Sequence, residues 1–171
     1  MIEYEGKDIR NVVLLGHAGS GKSTFIESAL LLTNEIDRMG NSSDGSLAMD
    51  YDPEEAKRGL SVYSSIAPIQ WKGRKINFID TPGYLDYEGD MVSGASVADL
   101  ALIFVSGKEG QQSGTEKAAN LAIKLGIPIC FLINNADEGI KFEEIAKSLT
   151  DVYGRGAVPF LIPEMDGNKM I

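Results

Sequence analysis

Residues 16–24 run Gly16-His17-Ala18-Gly19-Ser20-Gly21-Lys22-Ser23-Thr24. This stretch fits G-x-x-x-x-G-K-[ST], the phosphate-binding loop. The apolar run Val12-Val13-Leu14-Leu15 precedes it and reads as a buried strand, the first, spanning Ile9 to Leu15. Thr24 to Leu32 follows and is helix-like, with Phe25, Ile26, Ala29, Leu30 and Leu32 as its apolar face. Strand, loop and helix in that order are the context the pattern requires. Glycines let the backbone wrap a phosphate so that successive N–H groups point inward. The helix N-terminus adds positive potential. Lys22 places a charge where it would bridge β- and γ-phosphates, and Ser23 offers a hydroxyl to Mg²⁺. The loop alone does not separate an ATPase, a kinase and a GTPase.

Downstream, Thr33 to Gly59 is long and polar, with Asn41-Ser42-Ser43-Asp44-Gly45 at its middle. A span of this length in one domain predicts a functional segment that orders with ligand. Val62 to Trp71 and Lys75 to Ile79 are β-like and are separated by Lys72-Gly73-Arg74, which predicts a hairpin. The second of these strands ends in Asp80-Thr81-Pro82-Gly83. In an open α/β sheet ligands sit beyond the carboxyl ends of strands, so Asp80 is expected on the same rim as the phosphate loop. A carboxylate there can hold Mg²⁺ through water, and Gly83 allows close backbone approach to a terminal phosphate. Tyr84 to Ala98 predicts a loop and then a helix, Leu100 to Val105 a third buried strand, and Gly114 to Leu125 an amphipathic helix. Pro128 to Ile133 predicts a fourth parallel strand ending in Asn134-Asn135-Ala136-Asp137. Phe142 to Tyr153 predicts a helix with Ile145, Leu149 and Val152 inward, and Val158 to Ile162 a last β-like run. Alternating β and α elements imply a parallel α/β sheet.

The length of 171 residues supports one domain with a sizeable core. A net charge of −9 argues against wholesale nucleic-acid binding, and no direct DNA binding is expected. The single cysteine, Cys130, reads as a small buried hydrophobe rather than part of a disulfide framework, which suits the cytosol. The single histidine is His17, so no His-based zinc site is available. No apolar run reaches the ~18 residues of a membrane span, and Met1 to Arg10 lacks the features of a signal peptide.

Three loops converge: residues 16–24, 80–83 and 134–137. Their order resembles the GTP-binding proteins. Asp50, Arg58-Gly59-Leu60-Ser61-Val62, Trp71, Ile76-Asn77-Phe78-Ile79-Asp80-Thr81-Pro82-Gly83-Tyr84 and Asp86-Tyr87 resemble the N-terminal GTPase domain of the elongation factor G family, from about residue 8 to about 165. The fold implied is a P-loop NTPase of the α/β class: a mostly parallel sheet, helices on both faces and one antiparallel edge hairpin. By the same resemblance, residues 1–171 are a GTP-binding domain fragment that stops as the family's insert begins, about 158–171. The family's last guanine-contacting loop then lies beyond this sequence.

Carried over, the resemblance implies GTP/GDP and Mg²⁺ as cofactors. His17, Ala18, Gly19, Ser20, Gly21, Lys22, Ser23 and Thr24 hold the phosphates, with Asp80 and Gly83 facing them. Asn134, Asn135 and Asp137 meet the guanine. Asp137 can accept from both the ring N–H and the exocyclic amine of guanine, which adenine does not offer. The metal set is Ser23, Ser61 and Asp80, with Ser61 standing where the family has threonine. The first switch spans Thr33 to Val62 and the second Asp80 to about Asp90. Lys22, Gly83 and Tyr84 are the candidate catalytic positions. Three departures mark a divergent paralogue: Gly19 in place of aspartate, Tyr84 in place of the water-positioning histidine, and Asn135 in place of the lysine of Asn-Lys-x-Asp. The implied activity is GTP hydrolysis by a cytoplasmic, monomeric, ribosome-associated switch. The competing expectation is a GTP sensor with little or no hydrolysis. An ATPase or nucleotide kinase leaves Asn134 and Asp137 without a role.

Overall fold

The computed structural model describes residues 3–41, 46–49, 63–83, 88–135, 142–154 and 157–162, and the backbone of 165–166 and 169–170. After a short 3₁₀ turn at Gly6–Asp8 come β1 (Ile9–Gly16), α1 (Lys22–Leu32), β2 (Ser65–Trp71), β3 (Arg74–Asp80) and α2 (Glu88–Ser96). β4 (Leu100–Ser106), α3 (Ser113–Leu125), β5 (Ile129–Asn134) and α4 (Phe142–Tyr153) complete the layered part. Two short strands, β6 (Met165–Asp166) and β7 (Lys169–Met170), pair antiparallel with each other.

The five main strands lie in the order β2-β3-β1-β4-β5. β1 pairs parallel with both β3 and β4, β4 pairs parallel with β5, and only β2 runs antiparallel, against β3. The expected mostly parallel sheet with an antiparallel edge hairpin is what the chain adopts. A strand covered on both faces must be apolar throughout. Val13, Leu14 and Leu15 are accordingly fully buried. β2, at the edge, alternates instead: Ala67 and Ile69 face in while Ile66 and Gln70 are exposed. Its Pro68 is tolerated because an edge strand needs fewer N–H donors. Lys72 and Gly73 both have positive φ, 47° and 76°, so two residues make the β2–β3 turn, with Arg74 already in the strand.

Helices cover both faces. On one, α1 brings Ile26 and Leu30 against Val12, Leu14, Phe78 and Phe104. On the other, α2 and α3 bring Ala95, Ala118, Ala119 and Ala122 against Val13, Leu15 and Ile103, and α4 adds Ile145 and Leu149 against Val105. The alanines of α3 let that helix sit close to the sheet. Gly16 has φ 133°, and a Cβ there would stand 2.6 Å from the Phe104 carbonyl oxygen. Only glycine lets β1 lie against β4 as the chain turns into the loop.

Four expectations are corrected. Val158 to Ile162 forms no strand, and Val158, Phe160, Leu161 and Ile162 are 68–79 % exposed. Val152 points outward at 62 % exposure, because the inward stripe of α4 is carried by Ile145 and Leu149 four residues apart. Leu32, at 68 % exposure, leaves the apolar face of α1 as that helix ends. Cys130 is half-buried rather than buried, although the burial it has still pushes its thiol pKa up.

Candidate functional site

The loop between β1 and α1 emerges at the carboxyl end of β1, which has a parallel neighbour on each side. That is where a doubly wound sheet opens a crevice. Gly21 caps α1 with φ 91°, and a Cβ there would meet the Asn134 side-chain nitrogen at 2.2 Å. Asn134 lies at the end of β5 and its Nδ2 donates to the Ser20 carbonyl at 2.9 Å. The third loop of the sequence therefore touches the first directly. As in any helix, the first N–H groups of α1 take no partner from within the helix.

Lys22 is 6 % exposed. Its Nζ donates to the Gly16 and His17 carbonyls at 3.1 and 3.0 Å, arching over the loop. Desolvation lowers its pKa to about 8, and the negative charge of Asp80 partly opposes that fall. Asp80 is 1 % exposed at the end of β3 and accepts a hydrogen bond from Ser23 Oγ at 2.6 Å. A hydroxyl and a buried carboxylate in contact are hard oxygen donors, which suit Mg²⁺. Among the described residues no cluster of three His, Cys, Asp or Glu side chains could hold a metal by itself. The Ser20 hydroxyl and His17 Nδ1 are buried with no hydrogen-bond partner among the described residues. These are polar atoms inside a loop whose backbone already curves inward.

Gly83 rests on the phosphate loop: a Cβ there would be 2.6 Å from the Ala18 nitrogen and 2.7 Å from Lys22 Nζ. Thr81 anchors this approach. It is 1 % exposed and its Oγ1 donates to the Leu14 carbonyl at 2.7 Å, locking the end of β3 to β1. Asn135 is exposed with φ 56°, a left-handed conformation that asparagine tolerates well. Residues 16–24, 80–83 and 134–135 thus meet at one rim. Ser61, Tyr84 and Asp137 lie outside the described residues.

Two contributors escape a reading by sequence pattern. Thr81 looks like an ordinary turn former. Glu27 is fully buried in α1, and the one visible signal is a carboxylate between Ile26 and Leu30 on an apolar face.

A glycine-rich loop between a central parallel strand and a helix, with a carboxylate from the neighbouring strand β3 on the Ser23 hydroxyl, defines a phosphate-loop nucleotide-binding domain. The chain belongs to the family of the elongation factor Tu GTP binding domain, whose pattern matches residues 7–161. It is similar to elongation factor G-like proteins of Mycobacterium tuberculosis and Thermotoga maritima, each 32 % identical, over 160 and 158 residues. These stretches cover 93 % and 92 % of this chain but only 22 % of each relative. A crystal structure from Thermus thermophilus superposes with a TM-score of 0.89 at 34 % identity, over 97 % of this chain and 25 % of that one. Translation elongation factor SelB from Methanococcus maripaludis, solved with the GTP analogue GppNHp, shares the fold at a TM-score of 0.60 and 24 % identity, over 84 % of this chain and 25 % of that one. The chain thus spans about a quarter of the length of these relatives.

Proposed function

We propose that this chain is the GTP-binding domain of an elongation factor G-like GTPase that hydrolyses GTP to GDP and phosphate as a ribosome-associated switch in the cytoplasm. The observation that carries this reading is the meeting of Lys22, the Ser23–Asp80 pair, Gly83 and Asn134 around one glycine loop. Residues 1–171 would form one such domain, with the family's insert beginning at about 158. Among the described residues no helix is long and apolar enough to cross a membrane.

In this reading His17 to Thr24 cradle the phosphates and Lys22 neutralises their charge. Ser23 and Asp80 hold Mg²⁺, joined by Ser61 from the first switch. The ion supplies charge neutralisation on the phosphate oxygens during transfer. The Gly83 N–H faces the terminal phosphate. Asn134, Asn135 and Asp137 form the base side. Asn134 braces the loop through Ser20, and Asp137 accepts the two guanine N–H groups. GDP is expected to bind at least about tenfold better than ADP, since an unpaired buried carboxylate is costly. Titrating the intact protein with GDP and ADP in Mg²⁺ measures this, and Asp137→Asn is expected to narrow the gap. Equal affinities for the two nucleotides would end the guanine assignment.

Intrinsic hydrolysis is expected to be slow. Phosphoryl transfer needs positioning more than a strong base, but a phenol with pKa near ~10 accepts protons poorly and cannot become cationic as imidazole can. Tyr84→His is therefore expected to raise ribosome-stimulated turnover of the intact protein by about tenfold. If the histidine variant gains no rate, residue 84 does not orient the attacking water.

A further inference from the structure

We propose that Glu27 is a positioning residue: a buried clasp that pins the first half of the long loop to α1 and so prepares the first switch for the γ-phosphate, a role that rests on the GTPase reading above. Glu27 has no solvent exposure. Its Oε2 accepts from the Gly40 N–H at 2.9 Å, and its Oε1 accepts a short hydrogen bond from the Ala48 N–H. These two donors stand on opposite limbs of one excursion of the chain. The limbs also bind each other: Asn41 N–H donates to Ser46 Oγ at 2.9 Å, and Ser46 N–H donates to the Asn41 carbonyl at 3.3 Å. They approach so closely that a Cβ on Gly40 would stand 2.1 Å from the Ser46 carbonyl oxygen. Just beyond, Leu47 and Met49 are buried, and Met49 packs with Ile26 and Leu30 of α1. Gly40 and Ala48 are therefore held to α1 through Glu27, and Met49 packs on the same helix.

The chemistry favours a clasp over a packing role. An apolar side chain fills such a site more readily than a carboxylate, which must be hydrogen-bonded to be tolerated there. Both donors that satisfy Glu27 are amides of the excursion, and neither belongs to the helix that carries it. The same helix begins with Lys22 and Ser23, so phosphate contacts and loop anchor share one rigid element. Anchoring the chain at Ala48 shortens, by about half, the tether counted along the sequence between α1 and Ser61. Closure entropy grows as about 1.5 RT times the logarithm of loop length, so halving the span favours closure by about threefold.

The test uses the intact protein and the variants Glu27→Gln and Glu27→Met. The methionine variant removes the charge and both acceptors at similar volume and is expected to stay folded. In nucleotide-free protein, hydrogen exchange at the Gly40 and Ala48 amides should accelerate at least tenfold in Glu27→Met, and less in Glu27→Gln, while Leu30 keeps its protection. The ratio of GTP-analogue to GDP affinity should then fall about threefold, with GDP affinity unchanged. Unaltered exchange at Gly40 and Ala48 overturns the clasp. Faster exchange with an unaltered ratio overturns its role in positioning the switch. Wild-type protein that binds neither nucleotide overturns the GTPase reading instead, and the exchange measurement still decides the clasp.

Discussion

Lys22→Ala should weaken GDP and GTP binding by about two orders of magnitude, while flattening the rise of the nucleotide-free protein's stability between about pH 8 and 10.5. The first effect follows from removing one buried member of a charge pair, which costs about 3 kcal/mol in comparable sites. The second follows from the pKa. Burial lowers Lys22 from its usual 10.5 to about 8, with Asp80 partly compensating. The folded pKa lies below the unfolded one, so the unfolded chain binds more protons between these values and stability rises with pH across that window. Below pH 8 the full penalty of holding a buried ammonium is present, of order 3 kcal/mol. Alanine removes that pH dependence, and it also loses the bonds to the Gly16 and His17 carbonyls and leaves the buried Asp80 without its counter-charge. Phosphate should restore the ammonium's higher pKa, so nucleotide binding takes up a proton above pH 8 and affinity declines toward pH 10. Isothermal calorimetry in buffers of different ionisation heat reads both affinity and proton uptake. An alanine variant that binds GDP as tightly as wild type would sink the assignment of this loop.

Gly83→Ala should lower GTP-analogue affinity by about ten- to a hundredfold, corresponding to the 1–3 kcal/mol that overpacking imposes. The constraint is space: two of the atoms a Cβ would meet belong to the Ala18 backbone and the third is Lys22 Nζ. Backbone cannot rotate away as a side-chain tip can. If the phosphate loop yields, GDP and GTP analogue weaken together. If residues 82–83 yield, the GTP analogue alone weakens, because its extra phosphate is the one that Gly83 faces in the proposed site. Affinities for both nucleotides within twofold of wild type would show that Gly83 does not bear on the loop in solution.

The phosphate loop was legible because it is a local object: glycine spacing, a preceding apolar strand and a following helix sit in adjacent residues. The central strands were legible for a related reason. Val12 to Leu15 and Leu100 to Val105 are continuous apolar runs that a doubly covered parallel strand demands. What escaped depends on partners distant in the chain. Val158 to Ile162 is rich in β-forming residues, yet such propensity expresses fit to a neighbouring strand, and in this structure the run joins no ladder. Val152 sits within the apolar spacing of α4, and only packing reveals that Ile145 and Leu149 fill the available width of sheet. Met49 lies in a stretch whose glycines, serines and aspartates suggest a loop, and nothing local says that α1 will receive it. Glu27 was hidden for the same reason, since its partners lie 13 and 21 positions away. On the site itself, the resemblance puts Asn134 on the guanine side, whereas its bond to Ser20, a contact 114 positions apart, is visible only in three dimensions.

The position of β1 has a consequence for how the chain is made. Its neighbours are residues 75–80 on one side and 100–104 on the other, so none of its ladder partners is close in sequence. At synthesis rates of about 5–20 residues per second, the interval between the emergence of Gly16 and that of Ser106 is of order 5–20 seconds. Throughout it Val12 to Leu15 can find neither a full set of lateral hydrogen bonds nor a finished layer of helices. Non-local pairing of this kind also slows refolding from denaturant. The strand that bears the phosphate loop is thus the earliest part of the sheet to be synthesised and among the last to be shielded, so the nascent chain is most prone to misassociation before β4 is complete.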